Sequence, residues 1–361
     1  MGESPIKVRQ APRGLVEKAK QVFAQKEKEE RERLERYGQI RPQMSVEAFG
    51  KRMVVVREKI YSSDKWKYFS DFLRDYVPGI FGPEWVKAEM AKPEAERHPV
   101  VQWITEGNRY MSAQPVQPDG SRKAAPSGAL AAFMAFSYDM YVVADNAGLD
   151  EAVLHRLKNR GQFQGARHEL FAEATCLRAG FTVEHENEKD GTRRHAEFVA
   201  THTKTGQLLS VEAKSRHRAG VLAVPGQPQP HDKLSLRFGG LINDAVAKNA
   251  LYPLVVFIDT NLPLRAADRL YPKKPGSIPS GLMNSLLERV KKEHNGKDPY
   301  SMIVFTNHPH HYAAKDELDP HKHLLSVMTT DGPKVDRQAL LDLHNSAYIY
   351  GNIPNEFPAN H

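Results

Sequence analysis

The sequence predicts an α/β protein in which a mixed β-sheet flanked by helices follows an all-α N-terminal region. Up to residue 160, apolar residues recur mainly at helical spacing. From residue 161 onward, the pattern changes to a helix, three strand-like runs, a helix, a strand, a helix and a strand, an order typical of α/β proteins. We therefore expect a helical N-terminal region at 1–160, followed at 161–361 by a sheet domain with C-terminal accessory elements.

The N-terminal region contains a mixed-charge run, KEKEERERLER, within the segment 15–37. Such a run is typical of a solvated helix stabilised by pairs of opposite charges one turn apart. The segment 114–127 is rich in Pro, Gly and Ser, which indicates an exposed loop. Further helices are predicted at 46–60, 65–76, 83–90, 100–111, 128–146 and 150–159.

The second region begins with a helix at 161–179, whose apolar stripe ends at Gly180, a residue that commonly stops helices. A continuous apolar run at 254–259 is typical of a strand buried on both faces. A basic loop is expected at 216–232, and one strand and one helix are expected beyond residue 322. The remaining predicted strands are 181–186, 195–203, 207–214 and 302–305, and the remaining helices are 234–250 and 282–292.

The overall composition narrows the class of protein. The 361 residues include 51 Lys and Arg against 44 Asp and Glu, a net charge of +7, which suits a polyanionic partner. The single cysteine, Cys176, excludes an internal disulfide framework and zinc sites built from several cysteines. No apolar run is long enough to cross a membrane, and the first ten residues lack the apolar core of a secretory signal. We expect a soluble, cytoplasmic protein without a membrane partner.

Two of the predicted strands form a hairpin. Between them lies the short polar segment 203–206, which ends in Gly and predicts a tight turn. With Lys204 and Thr205 as the two loop residues, Glu197 lies directly opposite Glu212. A slip of one residue would mix polar and apolar side chains on each face, so the pattern favours this register. The register places five apolar residues on one face: Phe198, Ala200, Leu209, Val211 and Ala213.

The opposite face of this hairpin holds the candidate chemistry. Two carboxylates directly across a sheet repel each other, and a divalent cation offsets that repulsion. Lys214 lies two residues after Glu212 and therefore on the same face. Phosphodiester hydrolysis requires a metal ion, which the two acids can bind, and a positively charged side chain beside it. The alternative interpretation is an exposed hairpin face with a surface network of Glu and Lys.

These residues also resemble a known family. The segment ELFAEATCLRAGFTVEHE, followed by RRHAEFVATHTKTGQLLSVEAKSR, is similar to the core of the PD-(D/E)xK nuclease superfamily, which has the restriction-endonuclease-like fold. By this resemblance, Glu197 takes the acidic position on the second core strand, and Glu212 and Lys214 form the E-x-K pair on the third. Glu169 is the helix carboxylate, with Glu173 as the alternative one turn later. The resemblance covers roughly 161–307, less than half of the chain.

The chain departs from the family pattern at two positions. Ala196 stands where the signature has proline, and Glu197 stands where aspartate is more usual. A glutamate reaches farther than an aspartate, which affects where an ion would lie. All the charged positions of the signature are nevertheless filled, so the resemblance implies an active enzyme rather than an inactive relative.

The expectation from the resemblance is an Mg²⁺- or Mn²⁺-dependent endonuclease that hydrolyses phosphodiester bonds in nucleic acid, with DNA as the expected substrate, in defence, mobile-element or repair biology. Glu197, Glu212 and Glu169 would bind the metal, and Lys214 would assist the water or the phosphate. The basic residues flanking these positions, which are Arg167, Arg216 and Arg218, are candidate contacts to nucleic-acid phosphates.

Two alternatives come from other classes of protein. One is a catalytically inactive nucleic-acid-binding module of the same fold. The other is a protein-interaction scaffold whose helical region docks a partner. A homodimer would suit double-strand cleavage, although nothing in the sequence demonstrates one.

Overall fold

A computed structural model describes residues 13–118, 120–185, 195–218, 238–262, 270–271, 280–308, 324–329 and 331–358. These residues form a mixed α/β architecture, which confirms the predicted class. The helices of the described residues are α1 (Arg13–Tyr37), α2 (Phe69–Phe81), α3 (Pro83–Met90), α4 (Pro99–Ser112), α5 (Gly128–Asn146), α6 (Glu151–Lys158), α7 (Phe163–Arg178), α8 (Phe238–Val246), α9 (Gly281–Glu293) and α10 (Arg337–Tyr348).

The N-terminal region is not all-α, so that prediction is wrong. A three-stranded antiparallel sheet, β1 (Met44–Ala48), β2 (Lys51–Val56) and β3 (Lys59–Ser63), occupies the segment predicted as a helix at 46–60. Two-residue turns separate the strands, and φ is positive at Phe49, Gly50 and Arg57. The β-branched residues that end β2 favour a strand, and these turns match the twist of antiparallel strands.

A six-stranded sheet forms the second part of the chain, with its strands in chain order across the sheet. Strands β4 to β6 are antiparallel, β7 is parallel to β6, β8 is parallel to β7, and β9 is antiparallel to β8. The order of elements predicted from residue 161 onward is confirmed, including the final strand and helix. The six strands are β4 (Phe181–His185), β5 (Phe198–His202), β6 (Leu208–Ser215), β7 (Leu254–Asp259), β8 (Met302–Thr306) and β9 (Leu324–Met328).

The β5–β6 hairpin has the predicted register. Phe198 pairs with Val211 and Ala200 pairs with Leu209, as expected for a loop of Lys204 and Thr205. The five apolar residues predicted to share a face are all buried, and they pack together with residues of α7 and α10. The α8 helix packs on the opposite face, against β7. The sheet is therefore covered on both faces beside the hairpin.

Helix α7 belongs to two hydrophobic cores. Phe163 and Leu170 pack into the core of the N-terminal region, whereas Ala172 and Cys176 pack against the six-stranded sheet. The C-terminal Phe357 also packs against the N-terminal core. The boundary expected at residue 160 thus immediately precedes a helix that both regions share.

Some predicted segments lie outside the described residues. The predicted basic loop is described only at 216–218, and the predicted helix at 234–250 is described from residue 238. Among the helices that the structure describes, none combines the length and the apolar character that crossing a membrane requires.

Candidate active site

The structure brings Glu197, Glu212 and Lys214 together on the face of the hairpin opposite the apolar face. Glu197 immediately precedes β5, and its backbone N–H donates to the carbonyl of Val211 at 3.1 Å. Glu212 and Lys214 lie on β6. The Lys214 ammonium contacts Glu212 Oε1 and lies 4.0 Å from Glu197 Oε1. Two acids and an ammonium group therefore meet at one place, as the register required.

The carboxylates differ in their exposure. The Glu212 side chain has 0% exposure, and its Oε2 has no hydrogen-bond partner among the described residues. Glu197 retains 16% exposure. Burial raises the pKa of Glu197, and the nearby Glu212 carboxylate raises it further, against the opposing effect of the nearby cations. A carboxylate buried to this degree requires compensating positive charge.

A second ammonium group, which the sequence reasoning missed, belongs to Lys248. Its Nζ lies 3.0 Å from Glu212 Oε1 and 3.7 Å from Glu197 Oε1. Burial alone would lower the pKa of Lys248, but the Glu212 and Glu197 carboxylates outweigh that effect and raise it. The residue follows α8, which packs on the same face of the sheet as Glu212. No local pattern distinguishes this lysine from the many others in the sequence.

The two candidate helix carboxylates are each paired with a basic side chain. Arg156 binds Glu169 through two contacts, from Nη1 to Oε1 at 2.8 Å and from Nη2 to Oε2 at 2.6 Å. Glu173 is buried, and its Oε1 lies 3.3 Å from His185 Nε2. Hydrogen bonding to Glu173 raises the pKa of His185. The Glu169 carboxylate helps to raise the pKa of Lys248, so its charge reaches the site.

The three arginines predicted to contact phosphate differ in their burial and in their partners. Arg167 is buried and its Nη1 lies 2.7 Å from His308 Nδ1, and its contact with a nucleic-acid phosphate stays a prediction. Arg218 is also largely buried, and its Nη1 donates to the Asn261 carbonyl at 3.3 Å. Arg216 is half-buried, with its guanidinium 5.6 Å from the centre of the Phe238 ring. Sequence reasoning missed these orientations because they depend on distant neighbours: His308 follows β8, Asn261 follows β7 and Phe238 begins α8.

The residues present suit a hard divalent cation. Mg²⁺ is commonly held by one or two carboxylates, with waters and substrate phosphates as the remaining ligands. Glu197 and Glu212 supply such a pair, and the unpartnered Oε2 of Glu212 is an oxygen still able to bind. Within the described ranges, no group of three or more His, Cys, Asp or Glu residues is placed to hold a metal. Among these residues, the two carboxylates are therefore the groups that would act as metal ligands.

Comparison of the chain with family models, curated proteins and solved structures returned no match. The functional argument therefore depends on the residues and their geometry.

Proposed function

We propose that this chain is a metal-dependent nuclease that hydrolyses phosphodiester bonds, with DNA as the expected substrate. The observation that supports this most strongly is the meeting of Glu197, Glu212 and Lys214 on neighbouring strands, with one carboxylate fully buried. Burying a carboxylate beside a second one is costly. A site that binds a cation and a phosphate accounts for the cost.

The arrangement of the sheet also supports the proposal. A helix, three antiparallel strands, a second helix and a fourth strand parallel to the third form the order expected of a restriction-endonuclease-like core. The acids and the lysine occupy the second and third of these strands, where the family signature has them. Assignment to the PD-(D/E)xK superfamily is part of this proposal.

Each residue has a role in the proposed reaction. Glu197 and Glu212 would hold Mg²⁺ or Mn²⁺, which when bound supplies polarisation of the phosphate and activation of water. Lys214 would stabilise the negative charge that develops on the phosphate oxygens. Glu169, oriented by Arg156, would position water or a second ion. The attacking water would lose a proton to solvent, and its oxygen would form a bond to phosphorus as the bond to the leaving sugar oxygen breaks. The leaving sugar oxygen would take up a proton from solvent.

The test is a cleavage assay with the purified full chain. Labelled double-stranded DNA, single-stranded DNA and RNA are incubated with Mg²⁺, Mn²⁺ or a chelator. We expect cleavage only with metal, and a loss of roughly 100-fold or more in the Glu212→Ala and Lys214→Ala variants. The matched controls are Glu288→Ala and Lys292→Ala, which remove the same charges from the exposed surface of α9.

Two outcomes would contradict the proposal. Metal-dependent cleavage that survives both substitutions would place the active site elsewhere. An absence of cleavage on every substrate, with the folded protein shown to bind Mn²⁺, would contradict the enzymatic role itself.

A second candidate function is a nucleic-acid-binding module without catalysis. One observation favours it: two ammonium groups already neutralise the two carboxylates, so the site balances its charge with protein groups alone. Such a module would bind DNA with an affinity that falls with salt but would not cleave it. A scaffold protein would show neither cleavage nor salt-sensitive binding, so the same protein preparation separates all three functions.

A further inference from the structure

Lys248 reaches the carboxylates from a different element than Lys214 does. Its backbone lies in the turn that ends α8, where the N–H of Lys248 donates to the Ala245 carbonyl at 3.2 Å. The next residue, Asn249, closes the turn with φ of 50°. The backbone of Lys248 is thus held in an ordered turn, and its side chain extends across to β6.

Both ammonium groups contact the same atom, Glu212 Oε1. Lys248 Nζ lies 3.7 Å from Glu197 Oε1, and Lys214 Nζ lies 4.0 Å from the same oxygen. The two lysines therefore have nearly equivalent positions relative to the acid pair. The family signature accounts for one lysine, and it leaves the second without a role.

The charge of the site suggests what the second lysine does. Among the described residues, the two carboxylates and the two ammonium groups balance in charge, and a divalent cation bound to the acids would leave a surplus of two positive charges. A phosphodiester carries one negative charge and gains a second when a hydroxide oxygen adds to phosphorus. With Lys214 alone, the surplus would be a single charge, so the second lysine matches the charge of the reacting phosphate.

We propose that Lys248 is a phosphate-binding residue of this site, which contacts a non-bridging oxygen of the phosphodiester together with Lys214. This inference rests on the proposed nuclease function and adds a residue that the family signature does not contain. The contact with Glu212 holds the ammonium group in place beside the acids, within reach of a phosphate brought to them.

The first experiment measures DNA binding by fluorescence anisotropy over a range of salt concentrations. The probe is labelled double-stranded DNA with Ca²⁺, which binds the same kind of oxygen ligands as Mg²⁺. We expect Lys248→Met to weaken binding about tenfold and to reduce the slope of log affinity against log salt by about 0.9, the value for one lost phosphate contact. Lys248→Arg should keep the slope, and Lys292→Met, the surface control in the last turn of α9, should change neither quantity.

The second experiment measures Mn²⁺ binding by calorimetry without DNA. Removing Lys248 takes away a cation that contacts Glu212, so Lys248→Met should bind Mn²⁺ as tightly as the wild type or more tightly. A lysine that only holds the carboxylate in place would give weaker Mn²⁺ binding in the variant. Lys248→Gln is a second neutral variant, and thermal unfolding of each variant checks that it is folded.

An unchanged salt slope in the folded Lys248→Met and Lys248→Gln variants would overturn the inference, as would a loss of Mn²⁺ affinity. Its failure is distinguishable from failure of the proposed function. A wild-type chain that binds DNA with a Lys248-dependent slope but never cleaves would retain the phosphate contact and refute the nuclease. A chain that cleaves DNA but whose salt slope does not change when Lys248 is replaced would support the nuclease and refute the phosphate contact of Lys248.

Discussion

The burial of Glu212 between two ammonium groups predicts strongly non-additive effects on stability. The Glu212 side chain has 0% exposure, while Lys214 and Lys248 are 22% and 26% exposed. Replacing either lysine by Met leaves the other in contact with Glu212 Oε1. Replacing both leaves the buried Glu212 carboxylate beside Glu197 with no ion-pair partner among the residues that the structure describes.

The magnitudes follow from these contacts. Loss of one charged contact when the other remains should cost about 1–1.5 kcal/mol. An uncompensated buried charge typically costs about 3–5 kcal/mol, so we expect about 4 kcal/mol for the double variant. The cost of the double variant should exceed the sum of the single ones by about 1–2 kcal/mol, well above the deviation of roughly 0.5 kcal/mol seen for independent sites.

The assay is urea unfolding at pH 7 of the wild type, both single variants and the double variant, with a chelator present. A repeat with Mn²⁺ at 100 times its dissociation constant should restore about 2.7 kcal/mol to the double variant, since the ion binds the folded state. A double variant whose cost equals the sum of the single costs would refute the reasoning. It would mean that Glu212 finds solvent or another partner when both lysines are gone.

Three further predictions concern other parts of the molecule. Burial raises the pKa of Asp259 from 3.8 to about 6, so between these values the folded state holds a proton that the unfolded chain releases, and stability should fall by roughly 2–3 kcal/mol as pH rises from 4 to 7. Asp259→Asn should remove this decline, as measured by urea unfolding at both pH values. Arg178→Met should cost about 3–5 kcal/mol, because it leaves Asp139 buried without the guanidinium 3.0 Å away. Phe49→Asn should raise stability by about 0.5–1 kcal/mol, because Phe49 is 98% exposed at a φ of 54° and Asn-Gly suits this turn.

Each of these predictions has a control or a contradicting result. If the stability of Asp259→Asn declines with pH as that of the wild type does, another group is responsible. The control for Arg178 is Arg74→Met, which removes long ion pairs of the exposed Arg74 with Asp71 and Asp75 and should cost less than about 1 kcal/mol. A Phe49→Asn variant less stable than the wild type would mean that the exposed ring has a partner in solution.

Much of the sheet and of the candidate site was predictable from local pattern. The order of elements from residue 161 onward and the pairing of Phe198 with Val211 follow from alternation and turn chemistry. Strand periodicity is two, so a slip by one residue would mix charged and apolar side chains on each face of the hairpin. That strict rule is why the meeting of Glu197 with Glu212 and Lys214 could be expected before the structure was known.

The same reasoning did not predict the sheet at 44–63. Its apolar residues can be read at helical or at strand spacing, and Phe49 and Arg57 are not residues that usually mark turns. Residues of β2 pack with α5 in the N-terminal core, and the Arg57 backbone N–H donates to Asp145 Oδ1 at 2.7 Å, so distant segments contact this sheet. Tertiary contacts here override local preference.

Thus the succession of helices and strands from residue 161 onward, the register of the β5–β6 hairpin and the acid–lysine pattern are encoded in neighbouring residues, because periodicity and turn chemistry act over a few positions. The second lysine at the site, the ion pair that holds Glu169 and the burial of Arg167 were decided only when distant segments packed together. The physical reason is that charge pairing depends on distance in space, and sequence alone does not state which charged side chains from separate elements will share one buried volume.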